Sequence, residues 1–429
     1  MRVVYLAAGA GGMYCGSCMR DHRLVATLIT QGRDILLVPL YTPIRTDELS
    51  VGRQRIFYGG INVFLEQKWK LFRHAPSFVG RILDSPILLG GVGRLATKTQ
   101  AGELGALTVS VLKGEQGAQR KELEKLVAGL RHLEPDLINL PNLMFVGIAR
   151  RLTASLGVPV LCTLSGEDVF LDALAEPFRT EAFALIRERA QDVHGLVALT
   201  DYYAAHAVEH FGLPGDRVHR VRMGVRVDDI GEPADPPDEP FTIGYLARIC
   251  PQKGLARLCE ALALLRRAGR NCRLRVAGYS SAGDWCYYQD VYAVMCEQGV
   301  ADAFEYVGEV NRQQKLEFLR TLHALSVPTT YPEPKGLYVL EALAGGVPVV
   351  QPRHGSFPEL VEATGGGLLC EPNSPQALAD TLGRLMDDSA LRRCLTEQGR
   401  AAVHESFTDE VMAEQTWSLY QQYCGSRTA

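Results

Sequence analysis

The chain has 429 residues, with 45 basic and 49 acidic side chains and a net charge of −4. This length is typical of two or three domains that can each bury an apolar core. Nucleic-acid-binding proteins usually carry a strong basic excess, so the charge balance argues against a nucleic-acid partner. The 11 cysteines are scattered through a long chain, mostly among apolar neighbours, which favours reduced buried thiols over a disulfide framework.

The amino-terminal run MRVVYLAAGAGG has a single leading charge and passes directly into a glycine-rich turn. It therefore predicts a buried first strand rather than a signal peptide. No other apolar run approaches the roughly 20 residues that cross a bilayer. We expect a cytoplasmic protein, and the sequence leaves the oligomeric state open.

The first 40 residues predict the start of a Rossmann-like sheet. A strand at 2–8 is followed by a glycine-rich turn at 9–16, a helix at 18–30 and a second strand at 35–40. In this strand-turn-helix-strand order the glycines let the backbone come close to a ligand. A tight turn without a ligand is the simpler alternative.

Cys15 and Cys18 form a C-x-x-C motif near the start of this first helix. A helix dipole there lowers a thiol pKa, so a redox role stays open. The rest of the chain lacks the layout of a small thioredoxin fold, and no second C-x-x-C completes a zinc site, so we favour a structural role.

Residues 41–117 show the weakest pattern of helix or strand periodicity in the chain. Within them, residues 67–81 (QKWKLFRHAPSFVGR) interleave basic and aromatic side chains. Such a segment can contact an anionic membrane or an acceptor. We favour an ordinary amphipathic helix with one solvent-exposed face, interrupted at Pro76. The segment remains a candidate surface for the acceptor or for peripheral membrane contact.

Alternating helices and strands then continue the first domain. Helices are predicted at 122–131, from 146, at 180–191 and at 201–210, and strands at 137–140, 158–163, 195–199 and 218–221. Ser165 follows one of these strands at its carboxyl end, where doubly wound sheets bind ligands.

His206, Glu209 and His210 spell H-x-x-E-H, the motif of inverted zinc peptidases, with both imidazoles on one helix face. A zinc hydrolase is therefore one alternative function. So short a pattern recurs by chance, and the next strand follows at once, so we do not favour a zinc site here.

A second α/β series follows residues 226–240, which are rich in proline and acidic residues and predict an interdomain linker. Strands are predicted at 241–246, 274–277, 304–307 and 324–327, and helices at 255–267 and 313–321. Arg248 and Lys253 lie in the loop between the first strand and the first helix of this series.

Residues 331–350 (YPEPKGLYVLEALAGGVPVV) predict a turn, a helix from about Gly336, a Gly-Gly stop and a strand. The helix start offers unpaired N–H groups for a phosphate. Glu333 in the turn and Glu341 in the helix are carboxylates, which can accept two hydrogen bonds from vicinal sugar hydroxyls. Together these features suggest a sugar-nucleotide site, although acidic residues near helix starts are often only capping or solvated groups.

The motif E-P-x-G-L-x-x-x-E-A-x-A-x-G-x-P-V-V in this stretch resembles the E-x7-E signature of the retaining GT-B glycosyltransferases of family 4. The resemblance implies that Glu333 approaches the hydroxyls of the donor sugar and that Glu341 holds the ribose. It also implies that the backbone around Gly336 and Leu337 meets the sugar and the diphosphate.

Three further motifs extend the resemblance. Residues 247–254 resemble the family's G-R-L-x-x-x-K-G, in which Arg and Lys clamp the diphosphate. Their matching positions, Arg248 and Lys253, suit phosphate oxygens as a planar fork and a point charge. The amides at Gly11 and Gly12 match the family's amino-terminal loop, and Ser165 stands where the family usually has a histidine beside the donor sugar.

The resemblance implies an α/β protein of GT-B fold, with two Rossmann-like doubly wound domains facing across a cleft. Residues 1–228 would form the acceptor-side domain and residues 241–407 the donor domain. A terminal helix at about 408–424 would pack back on the first domain.

The implied reaction is retaining transfer of a sugar from a UDP-, GDP- or ADP-sugar to an unidentified small-molecule, glycan or lipid-linked acceptor. Arg248, Lys253 and Glu333 are the predicted catalytic residues, without a cofactor and without a metal. An inactive nucleotide-sugar-binding protein is the main alternative. A glycosidase would also use two carboxylates but would not need the Arg/Lys pair.

Overall fold

The computed structural model describes residues 1–9, 16–40, 101–233, 236, 239–281 and 283–425. Of residues 101–103 it describes the backbone alone. Gly11, Gly12, Cys15 and the segment 67–81 lie outside the described residues. None of the helices that the structure describes is long and apolar enough to cross a membrane.

The chain divides into two compact units. The first consists of Met1–Arg222 with Met412–Ala429, and the second of Met223–Val411. The division lies before the predicted boundary at 228, because the Val225 N–H donates to the Phe407 carbonyl at 2.9 Å and Val225 forms a β-bridge with Thr408. These contacts tie the start of the predicted linker to the end of the second unit.

The first unit contains a parallel sheet with the strand order β2-β1-β3-β4-β5-β6. Its strands are Val3–Ala7 (β1), Ile35–Pro39 (β2), Leu137–Leu140 (β3), Val160–Thr163 (β4), Gly195–Ala198 (β5) and Val218–Arg220 (β6). Its helices are Gly16–Thr30 (α1), Ala101–Leu112 (α2), Arg120–Arg131 (α3), Ala149–Leu156 (α4), Asp168–Asp172 (α5), Phe178–Arg189 (α6), Asp201–Phe211 (α7) and Asp409–Gly425 (α15).

Both faces of this sheet are covered. Alternate residues of β1 point to opposite sides, so that Val4 and Leu6 belong to one apolar cluster and Tyr5 to another. The second cluster includes Trp417 and Tyr420 of α15. The terminal helix therefore packs on the first sheet although it follows the second unit in the chain.

The second unit contains a parallel sheet with the order β12-β11-β10-β7-β8-β9. Its strands are Phe241–Leu246 (β7), Cys272–Ala277 (β8), Phe304–Gly308 (β9), Ala324–Leu325 (β10), Val349–Pro352 (β11) and Gly367–Cys370 (β12). Its helices are Leu255–Arg267 (α8), Trp285–Glu297 (α9), Arg312–Leu319 (α10), Leu337–Ala344 (α11), Phe357–Thr364 (α12), Pro375–Asp387 (α13) and Ser389–Ser406 (α14).

These two sheets confirm the predicted α/β class with two Rossmann-like units. The sequence patterns do not predict α2, whose glycines and β-branched residues have low helix propensity. They also do not predict α9, because it buries only Val291 and Met295 and shows no apolar stripe. The helix expected from 146 begins as a 3-10 helix at Leu143–Ile148.

Candidate active site

The strand order of the second sheet brings the predicted donor residues to one place. Strand β7 pairs with β10 in parallel, with Ile243 opposite Ala324. The order reverses between these two strands, and α/β proteins bind ligands outside the carboxyl ends of the strands at such a switch point. Lys253 follows β7 and Glu333 follows β10, so the two side chains come from the two strands that flank the switch point.

Lys253 and Glu333 form an ion pair, with 2.5 Å between Lys253 Nζ and Glu333 Oε2. The Glu333 side chain is 4% exposed and that of Lys253 is 19% exposed. Two tyrosines complete the contacts, since Tyr331 and Tyr338 donate their hydroxyls to Glu333 Oε2 at 3.1 and 3.2 Å. Three donors therefore converge on one carboxylate oxygen.

The other oxygen of Glu333 faces the start of α11. Glu333 Oε1 lies 3.5 Å from the Gly336 N–H. Lys253 also donates to the Tyr331 hydroxyl at 3.0 Å. An ammonium has three N–H donors, so within the described part of the chain one of them is available to a ligand.

The ion pair holds both groups in their charged forms. Burial raises the pKa of Glu333, but the Lys253 ammonium outweighs burial and lowers that pKa to about 2. Burial lowers the pKa of Lys253, but the Glu333 carboxylate outweighs it, and the net pKa is raised. Burial also raises the pKa of Tyr331 and Tyr338, so both hydroxyls remain hydrogen-bond donors.

Two glycines allow the close backbone contacts that hold this pair. Gly254 has φ +73°, and a Cβ there would lie 1.8 Å from the Pro328 carbonyl oxygen. Gly355 has φ +59°, and its Cβ would lie 2.4 Å from the Glu333 nitrogen. The Ser356 N–H donates to the Glu333 carbonyl at 2.7 Å. Both sides of the turn that carries Glu333 are thus fixed by neighbouring loops.

Arg248 lies in the same loop as Lys253. Its carbonyl accepts a hydrogen bond from the Tyr245 hydroxyl at 3.0 Å, which fixes the backbone at the end of β7. Its side chain is exposed, and Nη2 donates to Cys250 Sγ at 3.5 Å, a weak acceptor. The guanidinium can therefore exchange this contact for phosphate oxygens.

Helix α11 carries the other two predicted features of the donor site, the phosphate-binding helix start and the second carboxylate. Gly336 precedes the helix with φ +73°, and Leu337 is the first helical residue. Glu341 lies in the second turn and accepts a hydrogen bond from Lys315 Nζ at 2.6 Å. Each carboxylate of the E-x7-E motif is therefore paired with its own lysine.

The first unit holds Ser165 at the carboxyl end of β4. Its hydroxyl donates to the Pro141 carbonyl at 3.0 Å, and its N–H donates to the carboxylate of Glu167 at 3.0 Å. These bonds fix the turn after β4.

Cys18 is buried in α1, as expected of a structural thiol.

The H-x-x-E-H motif lies on α7, and its two imidazoles stack with ring centroids 5.0 Å apart. His206 contacts Asp168 at 3.4 Å and His210 contacts Asp172 at 3.1 Å, while Glu209 is exposed. Within residues 101–233 and the other described ranges, no group of three or more His, Cys, Asp or Glu side chains is placed to hold a metal ion. The zinc-hydrolase alternative is therefore not favoured.

Sequence reasoning did not assign roles to Tyr331, Tyr338 or Lys315. A signal for the tyrosines was their position two residues before and five residues after Glu333. The signal for Lys315 was its place one helical turn before Phe318 and Leu319, where an apolar residue is expected.

The two parallel sheets and the switch-point site define the chain as a GT-B protein, the two-domain architecture of many glycosyltransferases. The structure is similar to sucrose-phosphate synthase from Thermosynechococcus elongatus, with TM-score 0.72, 18% identity, and coverage of 99% of this chain and 100% of that one. It is also similar to HepE from Anabaena, solved in complex with UDP, with TM-score 0.68, 17% identity, and coverage of 98% and 100%. At these identities the similarity establishes the fold alone.

Sequence comparison matches two parts of the chain to glycosyltransferase families. Residues 228–402 match the family described as Glycosyl transferases group 1, and residues 110–229 match Glycosyltransferase Family 4. The two matches adjoin, so that residues 110–402 resemble glycosyltransferase families over their whole length.

Individual relatives match over part of their length. An uncharacterized glycosyltransferase of Methanocaldococcus jannaschii is 27% identical over 186 residues, which cover 43% of this chain and 45% of the relative. The D-inositol 3-phosphate glycosyltransferase of Corynebacterium glutamicum is 32% identical over 183 residues, which cover 42% of each. Across the curated relatives it matches, the aligned part spans between 42% and 62% of the relative's length.

Proposed function

We propose that the protein transfers a sugar from a nucleoside diphosphate sugar to an acceptor hydroxyl, with retention of anomeric configuration. The observation that carries the proposal is the Lys253–Glu333 pair at the switch point of the second sheet, with Arg248 in the loop beside it. This arrangement supplies cations for a diphosphate and a carboxylate for sugar hydroxyls at one edge of one sheet. The family match and the names of the relatives support the same reaction class.

In the proposed reaction the bond between the anomeric carbon and the diphosphate oxygen breaks, and its electron pair goes to that oxygen. The acceptor hydroxyl oxygen forms the new bond on the face that the diphosphate leaves. Its proton passes to the departing phosphate oxygen. The charge that must be stabilised therefore develops on the diphosphate.

Arg248, the third N–H of Lys253 and the amides at the start of α11 would stabilise that charge. Lys253 would do so without reorganising, because Tyr331 and Glu333 already hold it. Glu333 Oε2 is occupied by its three donors, so Oε1 is the oxygen we assign to a sugar hydroxyl. Because these groups supply the positive charge, we expect donor turnover to continue in the presence of a chelator.

The donor is tested first by a thermal-shift screen against UDP, GDP and ADP and their common sugars. A nucleotide at about 100 times its Kd should raise the Tm by roughly 5–10 °C, because it binds only the native state. Glu341→Gln should lower the Tm of the free protein, because it leaves the buried Lys315 unpaired, and should reduce the nucleotide-induced shift by about half or more. Glutamine is preferred to alanine here because it keeps the shape of the side chain beside the buried Lys315.

Glu317→Ala, on the exposed face of α10, is the matched control and should keep the full shift. No shift from any nucleotide in the wild-type protein would refute a nucleoside diphosphate donor. An undiminished shift in Glu341→Gln would refute the ribose assignment alone.

Turnover and stereochemistry are tested next with the donor sugar identified by the screen. Slow donor hydrolysis without acceptor, followed by NMR, should first release the anomer present in the donor. Release of the opposite anomer would refute retention. Binding without any turnover, under all acceptor conditions, would favour an inactive nucleotide-sugar-binding protein.

A further inference from the structure

Lys315 is a buried cation in a helix whose pattern calls for an apolar residue. It lies on α10 one turn before Phe318 and Leu319, and all three side chains are buried. A lysine is almost never fully buried unless its charge is paired. Its position therefore requires a specific partner.

That partner is Glu341 on α11. The distance between Lys315 Nζ and Glu341 Oε1 is 2.6 Å, and the two side chains are 5% and 11% exposed. The residues are 26 positions apart and lie on different helices, so the pair is not an i,i+4 contact that arises within one helix. The fold places the lysine against this carboxylate.

Stability alone does not explain such a pair. Replacing a buried ion pair by well-packed apolar residues is often neutral or stabilising, because the desolvation of two charges offsets their attraction. Here the pair involves the one carboxylate of α11, a helix otherwise composed of apolar, small and tyrosine side chains. A role in fixing the geometry of that carboxylate accounts for both the burial and the location.

We infer that Lys315 is a positioning residue for the nucleoside ribose: it holds the Glu341 carboxylate in the orientation that receives the ribose hydroxyls. This inference rests on the donor site proposed above. A carboxylate has about four lone-pair positions, of which Lys315 takes one at Oε1. The remaining positions can accept two vicinal hydroxyls only if the carboxylate plane is fixed, and the Lys315 hydrogen bond fixes it.

The inference predicts an effect on ribose recognition that a purely structural lysine would not produce. Removing the 2′-hydroxyl from the nucleotide should weaken binding to wild-type protein about tenfold, the usual effect of losing a hydrogen bond to a charged group. In a variant without Lys315 the Glu341 carboxylate is no longer fixed, and the ribonucleotide should no longer bind more tightly than its 2′-deoxy form. The diagnostic quantity is therefore the ratio of the Kd of the 2′-deoxy nucleotide to the Kd of the ribonucleotide.

The test measures this ratio by calorimetry with UDP, GDP and ADP and their 2′-deoxy forms. Lys315→Met should reduce the ratio from about ten to less than about two for the nucleotide that binds. Lys125→Met is the matched control, because Lys125 Nζ contacts the buried Glu122 at 2.6 Å in the first unit. It should leave the ratio unchanged.

A full ratio in Lys315→Met overturns the inference, even if this variant is less stable. If Lys315→Met does not fold, Lys315→Arg replaces it, since arginine keeps the charge but holds a carboxylate in a different geometry. The ratio should then fall at least threefold, and an unchanged ratio overturns the inference. If none of the three nucleotides binds the wild-type protein, the donor proposal fails and the Lys315 inference with it.

Discussion

Two buried glutamates, one in each unit, follow parallel strands at their carboxyl ends and yet have different partners. Glu167, after β4, accepts from the backbone N–H groups of Leu143 and Ser165 at 3.0 Å and from the Tyr203 hydroxyl at 3.1 Å. Glu333, after β10, accepts from an ammonium and two tyrosines. A carboxylate that binds nearby amides fixes a turn, whereas one that faces a lysine across a switch point keeps a charged pair at the place where a ligand binds.

The comparison predicts unequal costs for neutralising the two carboxylates. Glu333→Gln should lower the free energy of unfolding by about 3 kcal/mol, because it leaves the Lys253 charge unpaired in a mostly buried site. Glu167→Gln should cost only about 1 kcal/mol, because the amide oxygen can still accept from an N–H group. Urea unfolding followed by circular dichroism measures both, and equal costs would contradict the distinction.

Acid should remove the contribution of Glu333 in a defined pH window. Its folded-state pKa of about 2 lies below its ordinary value of 4.5, so the unfolded chain binds the proton first as the pH falls. The difference corresponds to about 3 kcal/mol, fully present above pH 4.5 and lost on acidification towards pH 2. The stability gap between wild type and Glu333→Gln should therefore close over this window, and a constant gap would count against the ion pair.

The backbone support of Glu333 can be tested with two glycines that share a left-handed conformation. Gly355→Ala should cost about 3 kcal/mol, because the new Cβ would meet the Glu333 nitrogen at 2.4 Å in addition to adopting an unfavourable φ. Gly157→Ala, at φ +67° in open space, should cost about 1 kcal/mol. Thermal unfolding of both variants compares them, and similar costs would show that the loop around Gly355 relaxes.

The tyrosine hydroxyls should contribute less than the Glu333 carboxylate or the Gly355 backbone. Tyr331→Phe should cost about 1.5 kcal/mol and raise the pKa of Glu333, because its hydroxyl helps to keep that pKa low. Tyr203→Phe, which removes the hydroxyl bonded to Glu167, should cost a similar amount. Tyr331→Phe should move the acid loss of stability to higher pH, as followed by denaturant midpoints between pH 5 and 2. An unchanged acid profile in Tyr331→Phe would contradict a role of its hydroxyl in holding the pKa of Glu333 low.

The helices and strands were largely predictable where the apolar pattern is strong. The buried strands β1, β7 and β11 follow from mostly apolar runs that include β-branched residues, and α8 from its amphipathic pattern. Helix α9 escaped prediction because it exposes aromatic side chains that mask its periodicity. The division at Arg222/Met223 also escaped, since a bridge between Val225 and Thr408 links positions far apart in the chain.

The sequence by itself determined the α/β class, the resemblance to a glycosyltransferase family and the candidate residues, because strand and helix periods and short motifs are local properties of the chain. Only the tertiary structure decided their partners: Lys253 meets Glu333 across 80 residues, and Lys315 meets Glu341 across 26. These pairs depend on the order in which six parallel strands assemble, which local patterns do not specify. The pKa of Glu333 is likewise a property of the folded chain, because burial and the nearby ammonium exist only after the sheet has formed.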